Sequence, residues 1–121
     1  GGEAGAIERL WQGRASWLVV TDGARPLQWH TRTRRGVLDA FAVRAVDTTA
    51  AGDAFVGGLL AWLARHDVGA AGLDAFLQDD GDRDAALRQA AAAGAVAVTR
   101  PGAFAAMPTP SDLVTFLETF A

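Results

Sequence analysis

The sequence predicts an α/β fold, and three observations carry that reading. An apolar, partly β-branched run, Trp17-Leu18-Val19-Val20-Thr21, stops at Asp22-Gly23, and two further strand-like stretches follow it. From Ala50 onward the apolar residues switch to helical spacing and keep it. Gly and Ala crowd one side of the stretches Ala50–Arg65 and Ala85–Val98, as they do in helices that pack closely. Strand, hairpin and then helices is the order of one half of an α/β sandwich.

Each element has its own local cause. Ile7, Leu10 and Trp11 fall at helical spacing, so residues 5–12 read as the end of a helix. The run 17–21 is short, apolar and closed by a turn signal, which suits a buried parallel strand. Leu27–Thr31 and the stretch from Gly36 to Val46 alternate in part, with Trp29 between polar neighbours, and predict a half-exposed hairpin or meander. In the helix from Ala50 to about Arg65, the Gly57-Gly58 pair costs roughly 1 kcal/mol per glycine relative to Ala. A helix that keeps both is expected to approach another backbone closely. A short helix over 72–78 precedes the acidic stretch Asp79-Asp80-Gly81-Asp82-Arg83-Asp84 and a long helix over about 83–98. The acidic stretch lacks the spacing and terminal Glu of a calcium loop, so helix capping beside a solvated turn is the better account. Arg100-Pro101-Gly102 ends the long helix, and Ser111-Asp112 cap a last amphipathic helix to Phe120.

Composition excludes whole classes of chemistry. The 121 residues contain no Cys, which removes disulfides, thiolate metal sites and a cysteine nucleophile. All 11 basic residues are Arg, so no catalytic Lys, P-loop Lys or Schiff-base Lys exists in the chain. A net charge of -3 gives no nucleic-acid footprint, and no apolar run reaches the ~20 residues of a membrane span. A cytoplasmic protein without nucleic-acid or membrane partners is the expectation. His30 and His66 stand alone, without ligand-spaced partners. Trp11, Trp17, Trp29 and Trp62 read as core or edge packing rather than a stacking platform. Arg32, Arg34 and Arg35 read as a solvated turn, with contact to a nucleotide phosphate as the sharper alternative.

The segment that can carry chemistry is Asp47-Thr48-Thr49-Ala50-Ala51-Gly52-Asp53-Ala54-Phe55, at the junction of a strand and a long helix. Free N–H groups in a first helical turn, together with the helix dipole, attract anions. Small residues at 50–52 let a phosphate approach that backbone. A carboxylate at Asp53 then stands beside a migrating phosphoryl group, where it can take a proton from an attacking hydroxyl. The plainer reading makes Asp47-Thr48-Thr49 an N-cap cluster and Asp53 a favourable first-turn acid.

The ordered string D-T-T-A-A-G-D-A-F, followed by V-G-G, closely resembles the second signature of the ribokinase (PfkB) family of carbohydrate kinases. Val19-Val20-Thr21-Asp22-Gly23 resembles the family's strand and turn at the nucleotide. Ala95-Val96-Ala97-Val98-Thr99-Arg100-Pro101-Gly102-Ala103 resembles its late helix end, and Met107-Pro108 the approach to its last helix. The resemblance implies the C-terminal part of a three-layer α/β/α sandwich, with residues 1–121 forming a single partial domain. That portion would be the nucleotide-binding, catalytic-base half of an enzyme phosphorylating a sugar or sugar-acid hydroxyl from ATP with magnesium. Asp53 would be the general base, and the amides of Ala50, Ala51, Gly52 and Asp53 the anion hole. Thr21 and Gly23 would line the nucleotide, with Ala91 at the base. A potassium ion would be held by Asp47 and the carbonyls of Thr49, Ala97, Arg100 and Gly102.

The chain departs from the family pattern in places. Ala50 stands where many relatives have Gly, and Pro26 where a second turn Gly is usual. Ala91 replaces a polar residue near the adenine, and Ala106 one that often completes the cation site. Family members are well over twice as long. Their sugar-binding residues, their dimer-forming lid and an N-x-x-E element that helps hold magnesium lie mostly upstream, and this chain has no Asn. A fragment without turnover of its own is therefore expected, with any homodimer built through elements outside this chain. The alternative from another class is a non-catalytic nucleotide-binding or regulatory module that keeps the anion hole.

Overall fold

Two residues cannot carry a crossover, so the Gly23-Ala24 link can only fold the chain back on itself. In the computed structural model, which describes residues 2–102 and 107–120, it does so. Helix α1 (Gly2–Trp11) leads into β1 (Trp17–Asp22), β2 (Arg25–Thr31) and β3 (Arg35–Leu38), an antiparallel meander in the order β1-β2-β3. Gly23 makes the first turn with φ +52°, a conformation that suits a residue without Cβ. Trp17 pairs with Thr31 and Val20 with Gln28, and the register slips before Asp22 meets Arg25. The second hairpin pairs Leu27 with Leu38 and His30 with Arg35.

The meander agrees with the expected hairpin and corrects the expectation for residues 17–21. That run is antiparallel and half-buried rather than a parallel strand buried on both faces. Residues Leu27, Trp29 and Thr31 alternate into the buried side of β2, the period of a strand covered on one face. The stretch from Gly36 is strand only as far as Leu38. Arg32 is occupied structurally: its guanidinium donates to the carbonyls of Trp11 and Gly13, both at 2.6 Å, and so closes the C-terminus of α1. Arg34 lies 5.9 Å from the ring centre of Trp29. These residues, Gly1–Asp39, form one compact unit.

The second unit, Ala40–Ala121, is helical. Helix α2 (Ala51–Arg65) packs against α4 (Asp80–Val98), with α3 (Leu73–Gln78, entered through a 3₁₀ turn at Ala70–Gly72) and α5 (Pro110–Thr119) alongside α4. Small side chains permit the α2–α4 contact: a Cβ on Gly58 would stand 2.8 Å from that of Ala93, and one on Gly94 3.3 Å from the carbonyl of Ala51. Ala86, Leu87, Ala90, Ala92, Ala93 and Ala97 are buried along α4. That helix begins three residues earlier than its apolar pattern suggests. Asp79 caps it by accepting from the Asp82 amide at 2.8 Å, and Asp80 and Asp82 occupy the first turn, where the dipole favours acids.

Arg83 is 3 % exposed, and it donates to the Leu77 carbonyl at 3.1 Å and to the carboxylates of Asp80 and Asp84. The acidic stretch thus serves helix capping and this buried guanidinium, in line with the capping account. The ring of Phe41 stands edge-on to Phe116 and Phe120, at 5.0 and 5.1 Å, with the Arg88 guanidinium 4.8 Å over it. Among the described residues, no helix is long and apolar enough to cross a membrane.

Candidate active site

The site begins where the chain runs onto the end of α4. The amides of Val46 and Asp47 both donate to the carbonyl of Val98, at 2.6 and 3.0 Å, so residues 46–47 are held against the last turn of that helix. One carboxylate oxygen of Asp47 then accepts from the amide of Thr49 at 2.9 Å and from its hydroxyl. The other accepts from the amide of Gly102 at 3.1 Å, across 55 residues of sequence. Gly102 takes φ +87° to present that amide, a value few residues with a side chain adopt. The bonds from Thr49, and then that from Gly102, hold the Asp47 carboxyl below the usual carboxylate range.

Asp47 therefore ties the loop before α2 to the turn after α4. Of the potassium-ligand set implied by resemblance, it brings Asp47, Thr49 and Gly102 together. Ala97 and Arg100 lie on the same helix end, where the carbonyl of Ala97 accepts from the amide of Arg100 at 3.2 Å. Ala103 and Ala106 lie outside the described residues.

Helix α2 starts from this tethered loop without a side-chain cap. The Ala51 amide donates to the Thr48 carbonyl at 3.2 Å, and that of Ala54 makes the first regular helical bond, to Ala50 at 2.9 Å. Ala50 is 2 % exposed and roofs a cluster of Ala54, Ala93 and Ala97, against which Met107 and Leu113 pack. The amides of Gly52 and Asp53 precede that first regular bond and so have no acceptor within the helix. Of the four amides expected to form an anion hole at 50–53, that of Ala51 donates to Thr48, and Ala50 is a buried residue. A Cβ on Gly52 would meet nothing within 4 Å, so the space above the helix start is open. Asp53 is exposed in the same first turn.

Thr21 is the penultimate residue of β1 and Gly23 makes the β1–β2 turn, both exposed, in the first unit. Ala91 is half-buried on α4. Among the described residues, no group of three or more His, Asp or Glu is placed so that it could hold a metal ion. His66 instead stacks on Trp62, ring centres 3.7 Å apart.

Sequence reasoning took Asp112 as a cap only. It does close a capping box with Thr109, accepting from that residue's amide at 2.8 Å, but the same oxygen also receives the Arg100 guanidinium at 3.0 Å. No spacing rule signals a pair 12 residues apart across a Pro-rich turn. The hydrogen bond from Arg100, then that from Thr109, lowers the Asp112 carboxyl from 3.8 to about 2. A depressed folded-state value contributes stability that is complete above the unfolded value and disappears as pH falls toward the folded one. Acid unfolding should therefore steepen as pH drops from 3.8 to about 2, and Asp112→Asn should flatten that limb while leaving the neutral-pH slope alone. Circular-dichroism melts across that window test this, and identical acid limbs would refute it.

Comparison with known proteins gives the family. The model of the pfkB family of carbohydrate kinases matches residues 2–110. A probable fructokinase of Arabidopsis thaliana is 42% identical over 95 residues, which is 78% of this chain and 27% of that protein. The structure of a Xylella fastidiosa fructokinase with bound ATP superposes with a TM-score of 0.92 at 47% identity, covering 97% of this chain and 36% of that one. An engineered double mutant of the Vibrio cholerae O395 fructokinase, in its fructose-, ADP- and potassium-bound form, superposes with a TM-score of 0.78 at 30% identity, over 97% of this chain and 35% of that one. The chain thus spans about a third of the length of the relatives it matches. With a family match running from α1 to the first residue of α5, this chain belongs to the PfkB family of carbohydrate kinases.

Proposed function

We propose that this chain supplies the nucleotide-binding and catalytic-base part of a single kinase domain that transfers the γ-phosphate of ATP to a sugar hydroxyl, with fructose as the preferred acceptor. One observation carries the reading: an exposed carboxylate, Asp53, shares a first helical turn with the amides of Gly52 and Asp53, which precede the first regular helical hydrogen bond. In the transfer, Asp53 takes the proton of the attacking hydroxyl as its oxygen bonds to the γ-phosphorus, and the bond to the ADP oxygen breaks. The amides of Gly52 and Asp53 donate to the phosphoryl oxygens, whose charge they are oriented to meet before reaction begins. A binder without catalysis needs those amides but has no use for the carboxylate. The non-catalytic alternative has no observation in its favour.

Thr21 and Gly23 are assigned to the nucleotide, and Ala91 to the side of its base, on family resemblance. The oxygen set of Asp47 with the carbonyls of Thr49, Ala97, Arg100 and Gly102 suits a hard monovalent cation, and the hydrogen bonds that keep Asp47 ionised suit it further. Potassium there would add positive charge beside the amides. Magnesium, which binds through one or two carboxylates and the substrate phosphates, would offset the charge of the triphosphate.

Fructose as acceptor is supported by the fructokinase relatives. The test is a coupled ADP-release assay on the intact protein with fructose, ribose, glucose and 2-keto-3-deoxygluconate. Fructose should give the highest kcat/KM, and phosphorylation of none of the four would overturn the proposal.

A further inference from the structure

We infer that the side chain of Arg100 is a positioning residue for phosphoryl transfer, acting through its ion pair with Asp112; the inference rests on the kinase reading above. The turn that follows α4 is fastened on both sides. Arg100 donates to Asp112 at 3.0 Å, and Asp112 is itself fixed by the Thr109 amide and by its place in the first turn of α5. Two residues on, the amide of Gly102 donates to Asp47 at 3.1 Å. Asp47 holds Thr49 through its other oxygen, and the Thr48 carbonyl next to it takes the Ala51 amide.

A continuous set of short polar contacts therefore runs from the start of α5, through the 100–102 turn, to the helix start that presents Gly52 and Asp53. A second observation places α5 at the same spot. Leu113, adjacent to Asp112, packs with Met107 against the Ala50, Ala54, Ala93 and Ala97 cluster directly beneath that helix start. The pair is half-exposed, at 37% and 30% side-chain exposure, so its contribution to stability is small. What it fixes is where the Gly102 amide sits, and hence how rigidly the 47–50 loop is held.

Loosening that loop blurs the two amides whose work is done in the transition state, so kcat is affected more than substrate binding. In the intact protein, Arg100→Met should lower kcat about tenfold or more while the KM values for ATP and sugar move less than about threefold, since even a misplacement of about 1 Å can cost ~10²-fold. Only one guanidinium nitrogen meets Asp112, so Arg100→Lys should recover most of the lost kcat. Asp112→Ala, which removes the acceptor oxygen, should reproduce the Arg100→Met defect and serves as the measurement if that variant does not fold. A purely structural pair would lower Tm and leave kcat per folded molecule intact, and that result overturns the inference.

Asp53→Asn, assayed alongside, separates the two claims. An active parent, an inactive Asp53→Asn and an unaffected Asp112→Ala refute the Arg100 role alone. An intact protein that phosphorylates no sugar removes both.

Discussion

Replacing Asp53 by Asn in the intact protein is expected to reduce turnover by about 10²–10⁴-fold while nucleotide binding persists, the loss typical of a positioned general base. Asn keeps the shape and the backbone amide of residue 53 but cannot accept the proton. Competing explanations are too small to account for such a drop. Asp53 sits in the first turn of α2, where an acid favours the helix by about 0.3–1 kcal/mol, equivalent to a fewfold effect at most. Losing a base at ~10³-fold corresponds to about 4 kcal/mol of transition-state stabilisation, well beyond the dipole term. The same dipole argument fixes the sign for the nucleotide. Removing a negative charge beside first-turn amides should leave ATP affinity unchanged or slightly tighter. Equilibrium binding of ATP and steady-state turnover, measured on one preparation, check both halves. Turnover within tenfold of the parent would mean that Asp53 is no more than a helix-start acid.

The position of Asp53 was legible because a run of small residues and an acid within four positions mark a helix start, and it stands exposed in the first turn of α2. Helices α2 and α4 were legible for a similar reason, since their Ala and Gly residues recur at helical spacing. The direction of β1 was misjudged because an apolar β-branched run specifies burial and extension but not a partner. The deciding information lay in the brevity of the link to β2, which forbids a parallel crossover. The stretch from Gly36 to Val46 was read as strand throughout, yet beyond Leu38 no ladder forms. The amides of Val46 and Asp47 go to the carbonyl of Val98, an acceptor some 50 residues away that leaves no local trace. The same holds for the Gly102–Asp47 bond and the Arg100–Asp112 pair. Contacts between groups distant in sequence depend on how the helices pack, and that packing was visible only as a need for small residues.

Gly57 and Gly58 are adjacent, share one helix and carry the same propensity penalty, yet substitution is expected to act on them in opposite directions. At Gly57 a Cβ meets nothing within 4 Å, so Gly57→Ala should recover most of the roughly 0.5–1 kcal/mol that glycine forfeits in a helix interior. At Gly58 the same methyl would lie 2.8 Å from the Ala93 Cβ, 3.2 Å from the Ala90 Cα and 3.4 Å from the Gln89 carbonyl oxygen. Carbon atoms in contact settle at about 3.5–4.0 Å, so α2 and α4 would have to part by up to about an ångström. None of the three obstacles is the far end of a flexible side chain. Overpacking of this kind costs about 1–3 kcal/mol, which exceeds the propensity gain, so Gly58→Ala should be net destabilising and Gly58→Leu more severely so. Parting the helices also lengthens the 3.1 Å bond from the Gln89 side chain to the Gly58 carbonyl. The consequence reaches the chemistry, because α2 carries the first-turn amides and Asp53 at one end. Gly58→Leu should therefore lose both thermal stability and turnover, whereas Gly57→Ala should raise Tm and keep full activity. Thermal melts and kcat for the three variants decide the point. Equal shifts at the two positions would show that the helices have room at Gly58 and that their close approach does not set the helix start.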